Sequence, residues 1–128
     1  MKYILLIFLL AGVLNVSFLQ AQDITNTNWK TFAGEPINDS VFISFRTDTA
    51  YISSGKGGVI TSAVKFVKDT VTFLDASGAH ACLMQEGKYT YSFRGKFLTF
   101  RLLKDECFGR QLLAGFVFFP VPEEEIKK

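Results

Sequence analysis

From residue 27 onward, apolar and polar positions alternate with a period of two. That is the repeat of strands with one buried face, and almost no stretch carries the 3.6-residue repeat of a helix. The alternation predicts strands over 27–32, 41–45 and 49–53, the last two separated by Arg46-Thr47-Asp48. Two more are predicted over 59–67 and 70–74, joined by Lys68-Asp69. The clearest segment has Tyr89, Tyr91 and Phe93 alternating with Thr90, Ser92 and Arg94. Its turn Arg94-Gly95-Lys96 leads into a run over 97–104, the pattern of a hairpin. A last strand is predicted over 115–119, ended by Pro120 and Pro122 and followed by a polar tail over 123–128. Ser54-Gly55-Lys56-Gly57-Gly58 and Asp75-Ala76-Ser77-Gly78 read as loops, because glycine takes the positive φ angles that turns require.

About eight short strands with short connections favour antiparallel neighbours, since parallel strands need crossovers of a dozen or more residues. A meander of this kind must protect its edges, and closure into a barrel removes them. The expected fold is therefore all-β, an antiparallel up-and-down β-barrel of about eight strands. A sandwich with Greek-key connections is the rival, and the long loops it needs are missing.

The N-terminus carries a different pattern. Lys2 precedes an apolar run over 3–14, Asn15 interrupts it, and Ala21 stands before the polar Gln22. This order describes a secretory signal peptide over 1–21, leaving a barrel domain over 22–122. A membrane span wants about 20 apolar residues, more than this run provides, so no span is expected after cleavage. No cysteine lies near the cleavage site to carry a lipid anchor. The expected location is the periplasm or the surrounding medium.

Composition sharpens this picture. The 128 residues suffice for one domain. Removing the leader leaves 107 residues with 13 basic and 12 acidic side chains, and a nearly neutral chain gives no electrostatic case for nucleic acid or an anionic membrane. Twelve of the 14 Phe remain, with Trp29, Tyr51, Tyr89 and Tyr91, enough to build a core in a small domain.

Cys82 and Cys107 are the two cysteines, and both lie in the exported part. In an oxidising compartment a disulfide between them is expected, worth roughly 3–4 kcal/mol in the chain-entropy model. A metal pair and a reactive thiol are the competing readings. A metal site wants three or four ligands, and His80 is the single histidine. No metal and no cofactor are expected.

Three motifs resemble a known family. They are Cys82-x4-Gly87-Lys88-Tyr89-Thr90-Tyr91, Gly95-x-Phe97-Leu98-Thr99-Phe100 and Asp105-x-Cys107-x-Gly109-Arg110. Together they are similar to the C-terminal half of small secreted lipocalin-like proteins of bacteria. Asn28-Trp29 resembles the lipocalin first-strand motif, except that Asn26 and Thr27 stand where its glycine is expected. The resemblance implies a calycin-type barrel with an apolar interior able to hold one small molecule. It also implies that Arg110 stacks on Trp29 under the barrel floor, a structural cation–π pair worth of order 0.5–2 kcal/mol.

Other clusters carry weaker chemistry. Asp75, Ser77 and His80 sit within six residues but lack a nucleophile elbow and an oxyanion device, so no catalytic residue is expected and the chain is read as not an enzyme. The glycine cluster at 54–58 lacks the spacing of a phosphate loop and a following helix. Asp105-Glu106 reads as a solvated pair of charges, too few for a calcium site. The aromatic stripe Tyr89, Tyr91, Phe93 reads either as core or as a cavity lining. Candidate ligand contacts are Tyr89, Tyr91, Phe93, Phe100 and Arg101. Arg101 shares a face with Phe97, so an inward Phe97 would place its cation inside, ready for an anionic head group. The function expected is a secreted or periplasmic binding module for a small apolar or amphiphilic ligand, without chemistry. The alternative is a filled barrel that binds or inhibits a protein partner through loops such as 54–58.

Overall fold

The structure, a computed structural model, describes residues 23–122 and Glu125. The expected signal peptide and, Glu125 apart, the polar tail lie outside the described residues. Eight strands form: β1 (Asn28–Ala33), β2 (Asp39–Phe45), β3 (Thr49–Ser54), β4 (Gly58–Val67), β5 (Thr70–Ser77), β6 (Glu86–Arg94), β7 (Phe97–Lys104) and β8 (Val117–Pro120). Each pairs antiparallel with the next, and β8 returns to β1 through Trp29↔Pro120 and Lys30↔Phe119. The result is a closed up-and-down barrel with no open edge. Among the described residues no helix is long and apolar enough to cross a membrane.

The strand ends sort the loops into two groups. At one end lie the tight connections β2–β3, β4–β5 and β6–β7, where Lys68 and Gly95 take the positive φ angles (54° and 60°) that two-residue turns demand. This end is closed. Trp29 packs on Phe93 with ring centroids 5.9 Å apart, Phe66 meets Tyr91 edge-on, and buried Ile24 joins them from the segment before β1. The Trp29 indole Nε1 donates to Thr27 Oγ1 at 2.8 Å. Above this floor, Phe45, Phe73, Tyr89, Phe100 and Phe118 fill the middle of the barrel as a chain of tilted and edge-on ring contacts.

At the other end the β5–β6 and β7–β8 connections are longer, and Cys82 and Cys107 tie them together as a disulfide. A 3-10 helix over Arg110–Gly115, which the strand pattern did not predict, crosses this end before β8.

Candidate functional site

The alternation of β5 places Val71, Phe73 and Asp75 inside, so the strand runs past the expected loop and carries a carboxylate into the barrel. Asp105 follows β7 and is buried as well. The reading of Asp105-Glu106 as a solvated pair is therefore corrected: Glu106 is exposed, but Asp105 turns inward toward Arg110. Arg110 opens the 3-10 helix and reaches both acids. Its Nε donates to Asp105 Oδ2 at 2.6 Å and its Nη2 to Asp105 Oδ1 at 2.9 Å, a bidentate fork. Nη2 also donates to the Gln85 carbonyl at 2.7 Å. Tyr89 Oη donates to Asp105 Oδ2 at 2.5 Å, and the Cys107 N–H donates to Oδ1 at 2.9 Å. On the opposite side the Cys82 N–H donates to Asp75 Oδ2 at 2.9 Å. The disulfide and the ion network are thus one unit, each cysteine's backbone holding one of the carboxylates.

Charge placement follows from these bonds. Burial works against the Asp105 carboxylate, but the hydrogen bonds from Arg110, Tyr89 and Cys107 outweigh it and hold its pKa below the usual carboxylate range. Burial also works against the Arg110 cation, and the two carboxylates overturn it and raise its pKa. Desolvation, then the hydrogen bond to Asp105, pushes the Tyr89 phenol well above its ordinary value, so it remains a donor. One contact is incomplete. Arg110 Nη1 and Asp75 Oδ1 are 3.0 Å apart as an ion pair but outside hydrogen-bond geometry, and among the described residues they are the buried side-chain atoms without a hydrogen bond.

This pair stands in the wall of a cavity of about 450 Å³ at the disulfide end of the barrel. Val41 of β2, Ile52 of β3 and Ile60 of β4 form one apolar side, and Ile37 closes it from the β1–β2 turn. Leu112, Leu113 and Phe116, on and just after the 3-10 helix, form the other. Asp39, Lys56 and His80 stand in the wall with Asp75 and Arg110. The loop at 54–58 is tied down here: Lys56 N–H donates to Asp39 Oδ2 at 2.7 Å and Gly57 N–H to Ser54 Oγ at 2.8 Å. An open depression at the floor end is lined by Val64, Phe66 and Tyr91 together with Asp23, Lys65, Lys68 and Asp69, and more of its wall is apolar than polar.

The residues expected to contact a ligand lie elsewhere. Tyr89 and Phe100 are core, Phe93 packs beneath Trp29, and Tyr91 donates to the Lys68 carbonyl at the floor. None of the four lines the mouth cavity. Arg101 is corrected outright. Leu98 and Phe100 point inward, so Arg101 is exposed on the outer surface. The cross-strand partners explain why: Gly95-Lys96 is a two-residue turn, which pairs Phe97 with Arg94 and sends both outward. The stacking of Arg110 on Trp29 is corrected too. The guanidinium is held by Asp75 and Asp105 at the disulfide end, while Trp29 packs at the floor.

Asp75, Ser77 and His80 form no catalytic relay. Asp75 is engaged by Cys82 and Arg110, while Ser77 and His80 are exposed. Asp75 also lies close to both cysteine sulfurs, but these are bonded to each other and offer no thiolate to a metal. Sequence reasoning missed Asp75, Asp105 and the wall residues of the 3-10 helix. Only Asp75 carried a signal, the period-two position after Val71 and Phe73. No protein-family model, no curated protein and no solved structure matches this chain.

Proposed function

We propose that this chain is an exported, lipocalin-like binding module that takes a small apolar or amphiphilic ligand into the mouth cavity and performs no chemistry on it. One observation carries the reading: an apolar-walled cavity of about 450 Å³ opens at the disulfide end of the barrel, above a core of packed rings. That volume lies in the range of small-molecule sites, and such walls with a few convergent polar groups are the usual form of one. The disulfide is compatible with export, where such bonds persist. The test is native mass spectrometry of protein purified from its own exported fraction, followed by organic extraction. A stoichiometric small molecule is the expected result. An empty chain that also takes up no apolar dye would overturn it.

A second reading has its own observation. Met84 is 94% exposed and Phe108 is 86% exposed, one or two residues from the bridged cysteines. Large apolar side chains grouped on loops mark contact surfaces. A protein partner bound through these loops is what a dry, dye-silent cavity would favour.

A further inference from the structure

We propose that the mouth end of the barrel docks end-on onto a zwitterionic or uncharged lipid surface, with Met84 and Phe108 leading, and that the cavity draws its ligand from that surface. The inference rests on the reading of the mouth cavity as a ligand site and names where the ligand comes from.

Seven large apolar side chains among the described residues are more than half exposed. Six of them, Phe32, Val59, Leu83, Met84, Leu103 and Phe108, stand at the mouth end, and Val67 stands at the floor. Apolar side chains gathered in this way mark a contact surface. The six do not form one patch. Phe32 lies on β1, Val59 on β4 and Leu103 on β7, and in the closed barrel β4 is three strands from each of the other two. A globular partner would have to wrap the barrel end to cover them all. A flat lipid surface meets such a ring end-on and buries its members together.

The leading side chains are held out by the disulfide. The Gln85 N–H donates to the Cys82 carbonyl at 3.3 Å and the Gln111 N–H to the Cys107 carbonyl at 3.1 Å, so each bridged cysteine opens a tight turn. Met84 stands in the first turn and Phe108 in the second, and the bridge ties the two turns together. Cys107 and Gly109, on either side of Phe108, line the cavity. The docking surface and the cavity are therefore continuous.

Charge selects the kind of lipid. Beside Met84, Glu86 and Glu106 share one depression with Lys88 and Lys104, two of each sign. Elsewhere at this end Glu35 and Asp39 outnumber Lys56, and the buried Asp75 and Asp105 outnumber Arg110. Even a protonated His80 leaves no positive excess to draw the mouth to anionic lipid.

The experiment floats the mature, disulfide-bonded protein with phosphatidylcholine vesicles and measures the bound fraction. Binding is expected, and adding phosphatidylglycerol should not strengthen it. Burying one large apolar side chain is worth about a factor of ten or more, so Met84→Gln with Phe108→Ser should weaken binding at least about tenfold. Val67→Ser at the floor should leave it unchanged, and uptake of Nile red in free solution should survive in both variants. Trp29 is the single tryptophan and is buried at the floor, so brominated phosphatidylcholine should leave the natural chain unquenched and quench Phe108→Trp. Should the double variant not fold, the quenching carries the test. No flotation, flotation indifferent to Met84 and Phe108, or tighter binding to anionic vesicles overturns the inference. Nile red uptake without flotation leaves the cavity reading standing and returns the two loops to a protein partner. Flotation without Nile red uptake overturns the cavity reading, and the transfer of a ligand falls with it.

Discussion

Gly87 of β6 lies directly against the Asp105 carboxylate. A Cβ built there would overlap its Oδ2 and stand 2.8 Å from Arg110 Nε. The backbone at Gly87 has an ordinary negative φ, so this glycine is required for space, not for conformation. Without a side chain, the ion pair can settle onto the strand beside Tyr89. Gly87→Ala should therefore cost about 1–3 kcal/mol in urea unfolding, the range for forcing extra atoms into a packed site. Gly109 is the control. It has a helical φ of −65° and open space around its Cα, so Gly109→Ala should be neutral or slightly stabilising.

Removing the guanidinium tests the cluster from the other side. Arg110→Ala leaves two buried carboxylates facing one another, and losing one partner of a buried ion pair costs about 3–5 kcal/mol. Arg110→Lys keeps the charge but not the fork that grips both Asp105 oxygens, so it should rescue only part of the loss. Full rescue by lysine in urea unfolding would show that charge alone matters at this position.

The barrel was legible in the sequence because its signal is local. Period-two alternation and glycine or Asp-containing turns marked strands within one to three residues of their ends. The resemblance, in contrast, implies a stack of Arg110 on Trp29 at the floor, whereas Arg110 sits with Asp75 and Asp105 at the disulfide end. Strand β7 hid its parity as well, because Phe97, Leu98, Phe100, Leu102 and Leu103 put apolar groups on both faces. Only the length of the preceding turn decides that parity, and counting it as three residues instead of two moves Arg101 from outside to inside. The cavity was illegible for another reason. Leu112 and Leu113 of its apolar wall come from a 3-10 helix, whose short length leaves no periodic trace.

Acid should weaken the fold through Asp105. Its folded-state pKa lies below the unfolded value, which is about 3.9 for an aspartate. A depressed carboxylate contributes stability that is present above the unfolded pKa and is lost as the pH falls through the folded one. Urea midpoints of the natural chain should therefore drop below about pH 4. Asp105→Asn should be less stable at neutral pH and show a flatter acid limb. An unchanged slope in that variant would place the acid sensitivity in other carboxylates.

Reduction should loosen the mouth of the barrel more than its floor. Breaking the bond between Cys82 and Cys107 should lower stability by about 2–5 kcal/mol, measured as the shift in urea midpoint of a Cys82→Ala, Cys107→Ala double variant. The two cysteine N–H groups also hold Asp75 and Asp105, so amide exchange should rise first in the β5–β6 and β7–β8 connections. The aromatic interior around Phe45 and Phe100 should keep its protection.

The division of the barrel into a filled half and an open end can be tested by two opposite substitutions. Phe73 is fully buried among Phe45 and Tyr89, so Phe73→Ala should cost about 3–5 kcal/mol and leave a void that neighbouring rings cannot close. Ile52 faces the cavity from β3, where added volume meets open space. Ile52→Trp should therefore cost less than about 1 kcal/mol in urea unfolding, below the usual penalty for overpacking. The same variant should abolish uptake of an apolar dye, because the indole occupies the space between β3 and the 3-10 helix. Unchanged dye binding in a folded Ile52→Trp protein would place the dye outside the mouth.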